Sequence, residues 1–246
     1  MQEFQKYGNC LLKSIEDNPK IDDFAQKKNE ILNEVLNYYK LSARDYSILF
    51  VGLNPAIIAC EFADVTVTCV DAETLEWLQS KNSKIKYIAF DSIHGNNKWD
   101  IVVAVDEFFT FAETDEIQKI LIKKICGMAS EVAISTLKDY KNLDFKDKEF
   151  SQPAVLRANG QFCVFTEFHE WDYKDRGHWQ TYVYINGCKN KQYGPFERRT
   201  MYFKQLAKFS IDAGADSFLV HKNLMFKGLI KKNYEHVVSI RFKDEY

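Results

Sequence analysis

Proline and glycine are scarce, 4 and 10 of 246 residues, or about 6% together against roughly 12% in average proteins. So few breakers exclude collagen-like and low-complexity chains and leave regular elements joined by few sharp turns. The six cysteines, at 10, 60, 69, 126, 163 and 188, form no CxxC pair and no Cys/His spacing of the zinc-binding kind, so no metal site is expected. A reduced cytoplasm is the compartment they suggest. No apolar run approaches about 18 residues, and the amino terminus lacks the basic, apolar and small-residue layout of a signal peptide, so no membrane insertion is expected. An excess of one charge is also missing: 33 Lys/Arg face 35 Asp/Glu, which removes any global electrostatic case for nucleic acid or lipid. What remains is 46% apolar and 15% aromatic, enough to bury one core.

The charge is unevenly divided. Residues 151–246 hold 15 Lys/Arg and 10 Asp/Glu, whereas residues 1–150 hold 18 and 25, so the two parts are expected to do different jobs. Phe4, Tyr7, Leu11, Leu12 and Ile15 keep helical spacing up to Asn18-Pro19. Phe24, Ile31, Leu32, Val35, Leu36 and Tyr39 then resume it on a second amphipathic helix. Short apolar runs alternate with helical segments after that: strands over 46–51, 65–70, 85–90, 101–105 and 131–136, with helices between them. Continuous apolar strands in this alternation imply a parallel sheet covered on both faces.

After residue 150 the period changes to two. Residues 161–173 and 178–185 alternate around the polar Lys174-Asp175-Arg176-Gly177 and read as a β-hairpin. A helix over 196–213 and strands over 217–221 and 236–242 close the chain. The expected division is a single domain over 1–246. Within it lie amino-terminal helices (1–40), a cofactor-binding half (46–150), an inserted hairpin as substrate element (155–195), and a closing helix with two strands (196–246).

Ligands of open parallel sheets bind beyond the carboxyl ends of the strands, so the residues just past each strand carry the chemistry. Gly52 permits close backbone approach, and Pro55 suits the first turn of a following helix. Asp71 follows the second strand, 19 residues after Gly52. A carboxylate there can accept both hydroxyls of a ribose, or it can cap the helix opened by Ala72-Glu73. The third strand runs out into Asp91-Ser92 and the fourth into Asp106-Glu107-Phe108. Three successive strands finishing in Asp suggest a polar ligand.

These residues give the chain a resemblance to the class I S-adenosylmethionine-dependent methyltransferases. It covers residues 24–136, the helix at 196–213 and the two final strands. It rests on Ile48-Leu49-Phe50-Val51-Gly52 as first motif, Val70-Asp71 as ribose acid, Asp91-Ser92 at the adenine edge, and Ile101 to Phe109 as fourth motif. The resemblance implies an α/β fold, a doubly wound, mostly parallel seven-stranded sheet in order 3-2-1-4-5-7-6. Its last strand would be antiparallel, with the helical pair and the inserted hairpin as additions. It implies S-adenosyl-L-methionine as cofactor, held by Gly52, Asn54, Asp71, Ala72, Asp91, Ser92, Asp106 and Phe108. The sequence departs from the family after Gly52, where Leu53-Asn54-Pro55-Ala56 contains no second or third glycine. It also lacks the Asp/Asn-Pro-Pro-Tyr/Phe signature of amino-methylating DNA enzymes.

Methyl transfer to oxygen or nitrogen needs a base only where the acceptor must lose a proton. His94, His169 and His178 are the candidates. The hairpin face of Glu167, His169, Trp171 and Tyr173, with Trp179 and Tyr184 returning, offers stacking surface. Arg198 and Arg199 suit an anionic group. A small-molecule substrate is favoured over nucleic acid, since Lys222, Lys227, Lys231 and Lys232 near the chain end suit nucleic acid but equally a solvated hairpin loop, and a homodimer through the hairpin is the expected assembly. An NAD-dependent oxidoreductase is the competing enzyme, since Asp71 would hold its ribose equally well, although GxGxxG is missing. A Rossmann-like module that binds a nucleotide or partner without turnover is the competing non-enzyme.

Overall fold

The computed structural model describes residues 4–6, 21–42, 45–52, 64–141, 148–150, 154–158, 161–172, 174, 177–186, 191–227 and 234–242. Helix α1 (Ile21–Tyr38) buries Leu32, Val35 and Leu36, followed by Tyr39, at the i, i+3, i+4, i+7 spacing of one helix face. Only residues 4–6 of the expected first helix are described, and they are helical. The helix expected over 55–63 lies outside the described residues.

Strands β1 (Ile48–Val51), β2 (Val65–Thr68), β3 (Lys86–Tyr87), β4 (Trp99–Ala104) and β5 (Ala129–Leu137) alternate with helices α2 (Ala72–Lys81) and α3 (Asp115–Met128). An insertion of five strands follows: β6 (Lys148–Phe150), β7 (Ala154–Ala158), β8 (Gln161–Trp171), β9 (His178–Asn186) and β10 (Lys191–Arg199). Helix α4 (Phe203–Asp212) and strands β11 (Ser217–Lys227) and β12 (Tyr234–Arg241) complete the chain.

The main sheet has the order β3-β2-β1-β4-β5-β12-β11. Counting only its own strands along the chain, this is the expected 3-2-1-4-5-7-6. Neighbours from β3 to β5 are parallel, and β12 runs antiparallel to both β5 and β11. Alternate residues enter two cores. Leu49, Val51, Val102 and Ala104 meet Ile122 and Ile125 of α3 and Leu206 of α4, whereas Ile48, Phe50, Ile101 and Val103 meet the α1 stripe and Leu78 of α2. Cover on both faces is why these strands read as unbroken apolar runs rather than alternating ones.

The insertion is larger than the expected hairpin. Its sheet has the order β10-β9-β8-β6, with β7 also paired to β8. Residues 196–199, read as the start of a helix, belong to β10, where Phe196 pairs with Thr181 and Arg198 with Trp179. Gly194-Pro195 resembles a helix-opening signal in the sequence, but it sits at a register shift between Tyr193 and Phe196. The cross-strand register also corrects the aromatic face. Trp171 pairs with Trp179 and His169 with Thr181, so these share one face, while Tyr184 pairs with Thr166 on the other. Gln118 of α3 fastens the end of the insertion by donating to the carbonyls of Phe109, Arg199 and Thr200. No helix among the described residues is long and apolar enough to cross a membrane.

Candidate functional site

The carboxyl edge of the main sheet concentrates left-handed backbone. Gly52 (φ 94) ends β1, Cys69 (φ 59) follows β2, and Asp106 (φ 60) and Glu107 (φ 54) leave β4 in succession. Non-glycine residues rarely adopt such angles, and they persist where surrounding contacts over-determine them. Gly52 donates to the Thr68 carbonyl at 2.9 Å, locking the β1 exit to the β2 exit.

Gly52 is itself covered. A methyl group built on it would lie 2.3 Å from the Phe4 ring, which packs edge-on against Phe108 and Phe111 at 5.0 and 4.9 Å. The absence of a side chain at Gly52 therefore admits an aromatic ring of the chain's own amino-terminal segment. Asp71 caps α2 through Oδ1, which accepts from the Thr74 N–H at 2.8 Å. Ala72 is the exposed first residue of that helix, Asp91 and Ser92 are exposed in a 3-10 turn, and Phe108 is fully buried. Asn54 and Tyr173 lie outside the described residues.

Beside this edge, beyond β4 and β5, lies a buried ionic cluster. Glu107 is bonded by the Tyr140 hydroxyl at Oε1 and by Lys138 Nζ at Oε2 (2.6 Å), with Arg198 Nη2 3.5 Å from Oε2. Burial alone would raise its carboxyl, but Lys138 and Arg198 outweigh that and hold it below the ordinary 4.5. Burial and the Glu107 charge push the Tyr140 phenol well above 10. Thr136 hydrogen-bonds Glu235 of β12, whose carboxyl is pushed up to about 8 by burial and by Glu107 and Asp106. Asp106 stands 3.7 Å from Lys28 of α1, whose ammonium is lowered by burial.

Arg198 was expected to contact an anionic ligand. Its guanidinium instead lies between the rings of Phe111 (3.7 Å) and Trp179 (4.7 Å), and its Nε donates to Thr110 Oγ1 at 2.8 Å. Thr110 in turn donates to the Glu107 carbonyl through both Oγ1 and its backbone N–H. Arg198 thus ties the insertion to the strained turn after β4. Arg199 is paired with Asp115 at the start of α3.

The inner face of the insertion packs against the core with Trp171 stacked on Trp179 at 4.7 Å. His169 meets Trp179 edge-on at 5.1 Å, and its Nδ1 is 3.1 Å from Thr181 Oγ1. Burial, then Lys138 and Arg198, push its imidazole well below 6.5, so it is neutral at physiological pH. His178 lies on the opposite face of β9 and pairs with Glu197 at 2.7 Å, while His94 is exposed beyond β3. The three histidines do not converge; His169 is the one that shares a neighbourhood with the cluster.

Glu107, Lys138, Tyr140, Glu235 and Lys28 were not singled out from the sequence. Lys138 and Tyr140 follow the fifth strand as Asp71 follows the second, so inspecting every strand exit would have found them. Nothing in the sequence joins Lys28 or Glu235 to the group. Among the described residues no cluster of three or more His, Cys, Asp or Glu is placed to hold a metal. Burial pushes the Cys69 and Cys126 thiols up to about 12, which leaves them unreactive.

No protein-family model matches the sequence, and no curated protein matches it. Solved structures do match. An S-adenosylmethionine-dependent methyltransferase from Clostridium acetobutylicum superposes with a TM-score of 0.62 at 13% identity, over 89% of this chain and 92% of that one. An amino pentose methyltransferase from Micromonospora echinaspora, with S-adenosylmethionine bound, gives 0.60 at 11% identity over 87% and 91%. A sugar N-methyltransferase from Streptoalloteichus gives 0.63 at 10% identity over 87% of each chain. Likeness at such identities is a likeness of fold.

Proposed function

We propose that this chain, whose fold is that of the class I S-adenosylmethionine-dependent methyltransferases, transfers a methyl group from S-adenosylmethionine to an oxygen or nitrogen of a small-molecule acceptor. The observation that carries the reading is the carboxyl edge of β1, β2 and β4. Left-handed backbone and the carboxylates of Asp71 and Asp106 gather there beside a buried ionic cluster roofed by an inserted sheet. When bound, the cofactor supplies a methyl on positively charged sulfur, so the protein mainly has to align two reactants and exclude water.

The residues present fit such a group at the end of β2. Asp71 caps α2 with one carboxylate oxygen, leaving Oδ2 for ribose hydroxyls, beside the exposed Ala72, Asp91 and Ser92. Asp106 pairs with Lys28, and the buried Phe108 and the covered Gly52 come into reach only when Phe4 moves aside. Trp171 and Trp179 form the acceptor wall, and His169, neutral beneath the roof, takes any proton the acceptor must lose. The solved relatives that act on sugars support a small, polar acceptor.

Calorimetric titration with S-adenosylmethionine, S-adenosylhomocysteine and NAD tests the reading. Binding of the two adenosyl sulfur compounds, weakened in Asp71→Asn, is the expected result; binding of NAD alone would instead favour an oxidoreductase. One observation favours a second reading, a Rossmann-like module without turnover: the Phe4 ring occupies the approach to Gly52. Silence toward all three compounds in both the wild type and Phe4→Ala would favour it. For assembly, the outer row of Phe150, Phe168 and Tyr182 on the insertion supports a homodimer. Sedimentation as a monomer at every concentration tried would exclude that.

A further inference from the structure

We propose that the acceptor atom is a hydroxyl oxygen, held by the indole N–H of Trp179 and relieved of its proton by His169; the inference rests on the methyl-transfer reading above. Trp179 is buried, and its Nε1 has no hydrogen-bond partner among the described residues. Leaving a buried donor unsatisfied costs about 1–3 kcal/mol, so such a group calls for an acceptor. Its ring is held by Trp171, by the Arg198 guanidinium and by the edge of His169. Donor and base therefore stand side by side on neighbouring strands of one face.

Valence selects oxygen. A hydroxyl has two lone pairs and a proton: one pair accepts from Trp179, the other attacks, and the proton leaves. A neutral amine has a single pair, which a bond from Trp179 would occupy, and an ammonium has none. The tautomer that donates Nδ1–H to Thr181 Oγ1 is the one that leaves the His169 Nε2 lone pair to take the proton. Glu167 Oε2, on the same strand, is 3.6 Å from Nε2, beyond hydrogen-bonding distance. The charges that act on His169 from other elements are Lys138, after β5, and Arg198, on β10. Both are cationic, so they disfavour an ammonium and favour negative charge developing on oxygen. Because they also keep His169 a weak base, the proton leaves only as the bond to methyl forms. In the step itself the oxygen forms its bond to the methyl carbon and the carbon–sulfur bond breaks with its electron pair to sulfur. The hydroxyl proton passes to His169 Nε2.

The isosteric probes benzyl alcohol and benzylammonium separate the two acceptor classes without turnover. Full-length protein, nitrogen-15 labelled and loaded with S-adenosylhomocysteine at pH 7, is titrated with each while the indole N–H resonances are followed. Trp179→Phe assigns the resonance; if that variant does not fold, the Phe variants at Trp77, Trp99 and Trp171 assign it by elimination. Benzyl alcohol is expected to move the Trp179 resonance downfield to saturation, with affinity reduced about 5- to 10-fold in Trp179→Phe, and benzylammonium to leave it in place. An equal or larger shift with benzylammonium, or none with either probe, overturns the proposal. Failure of S-adenosylhomocysteine to bind would remove the methyl-transfer reading instead, and the probes added to the free protein would still report what the Trp179 donor accepts.

Discussion

Replacing Glu107 by Gln keeps the shape of the side chain and removes the negative charge on which Lys138 and Arg198 converge. Both cations would remain in place, Arg198 buried and Lys138 nearly so. Removing one partner of a buried ion pair costs about 3–5 kcal/mol, because the charge left behind is uncompensated. With the Glu107 charge gone, the Glu235 carboxyl that it helps keep protonated can ionise beside Lys138 and offset part of that, so a loss of about 3 kcal/mol is expected. At a urea m-value of about 3 kcal/mol per molar, the midpoint of unfolding followed by tryptophan fluorescence should fall by about 1 M. Tyr140→Phe removes one hydrogen bond and no charge, so it should cost only about 1 kcal/mol. Glu107→Gln/Lys138→Met should be more stable than the sum of the single changes by about 2 kcal/mol, since removal of both charges relieves the unpaired one. A shift for Glu107→Gln no larger than that for Tyr140→Phe, with m unchanged, would refute the view that opposed charge holds the turn after β4.

Three other outcomes are expected. Gly52→Ala strains a φ of 94 and drives a methyl into the Phe4 ring, costing at least about 1–3 kcal/mol; adding Phe4→Ala should recover the steric part and leave the backbone part, as thermal melts would reveal. Asp71→Ala should lose about 1 kcal/mol of stability with its cap, whereas Asp71→Asn keeps the cap and should still weaken S-adenosylhomocysteine binding at least about tenfold; equal affinity in Asp71→Asn and wild type would confine Asp71 to capping. Glu235 keeps its proton to about pH 8 in the fold but loses it near its ordinary 4.5 when unfolded. The native state therefore binds more protons between those values and stability falls as pH rises through them; in Glu235→Gln that decline should flatten, as urea titrations at pH 5 and pH 8 would measure.

Much of the main sheet was legible because its signals are local. Ile48 to Val51 and Ile101 to Val105 are continuous apolar runs, and a strand with helices on both faces can be little else. The Asp residues at the strand exits could be found by position alone. The insertion was read only where alternation is long enough to register, in β8 and β9. Strands β6 and β7 have three and five residues, too few to show a period, and β10 is interrupted at Gly194-Pro195. Period alone gave each strand two faces but could not say which residue of β9 stands opposite Trp171. Tyr184 stands five positions from Trp179 on one strand, so the period itself sets them on opposite faces, and the register adds that Trp179 is the residue opposite Trp171.

By itself the sequence determined the order of elements, the topology they resemble and the places where a ligand would meet strand ends, because these follow from periodicity and neighbouring residues. Tertiary structure decided everything that depends on distance in space. Glu107 meets Arg198 across ninety-one positions and Thr136 meets Glu235 across ninety-nine, separations at which no local pattern carries information. Burial made the same kind of decision for the titrating groups: a histidine is neutral, or a glutamate protonated near neutral pH, because of what surrounds it after folding. Even the scarce glycine at position 52 acquired its meaning that way, since the ring it makes room for is that of Phe4, from the amino-terminal segment outside the cofactor-binding half.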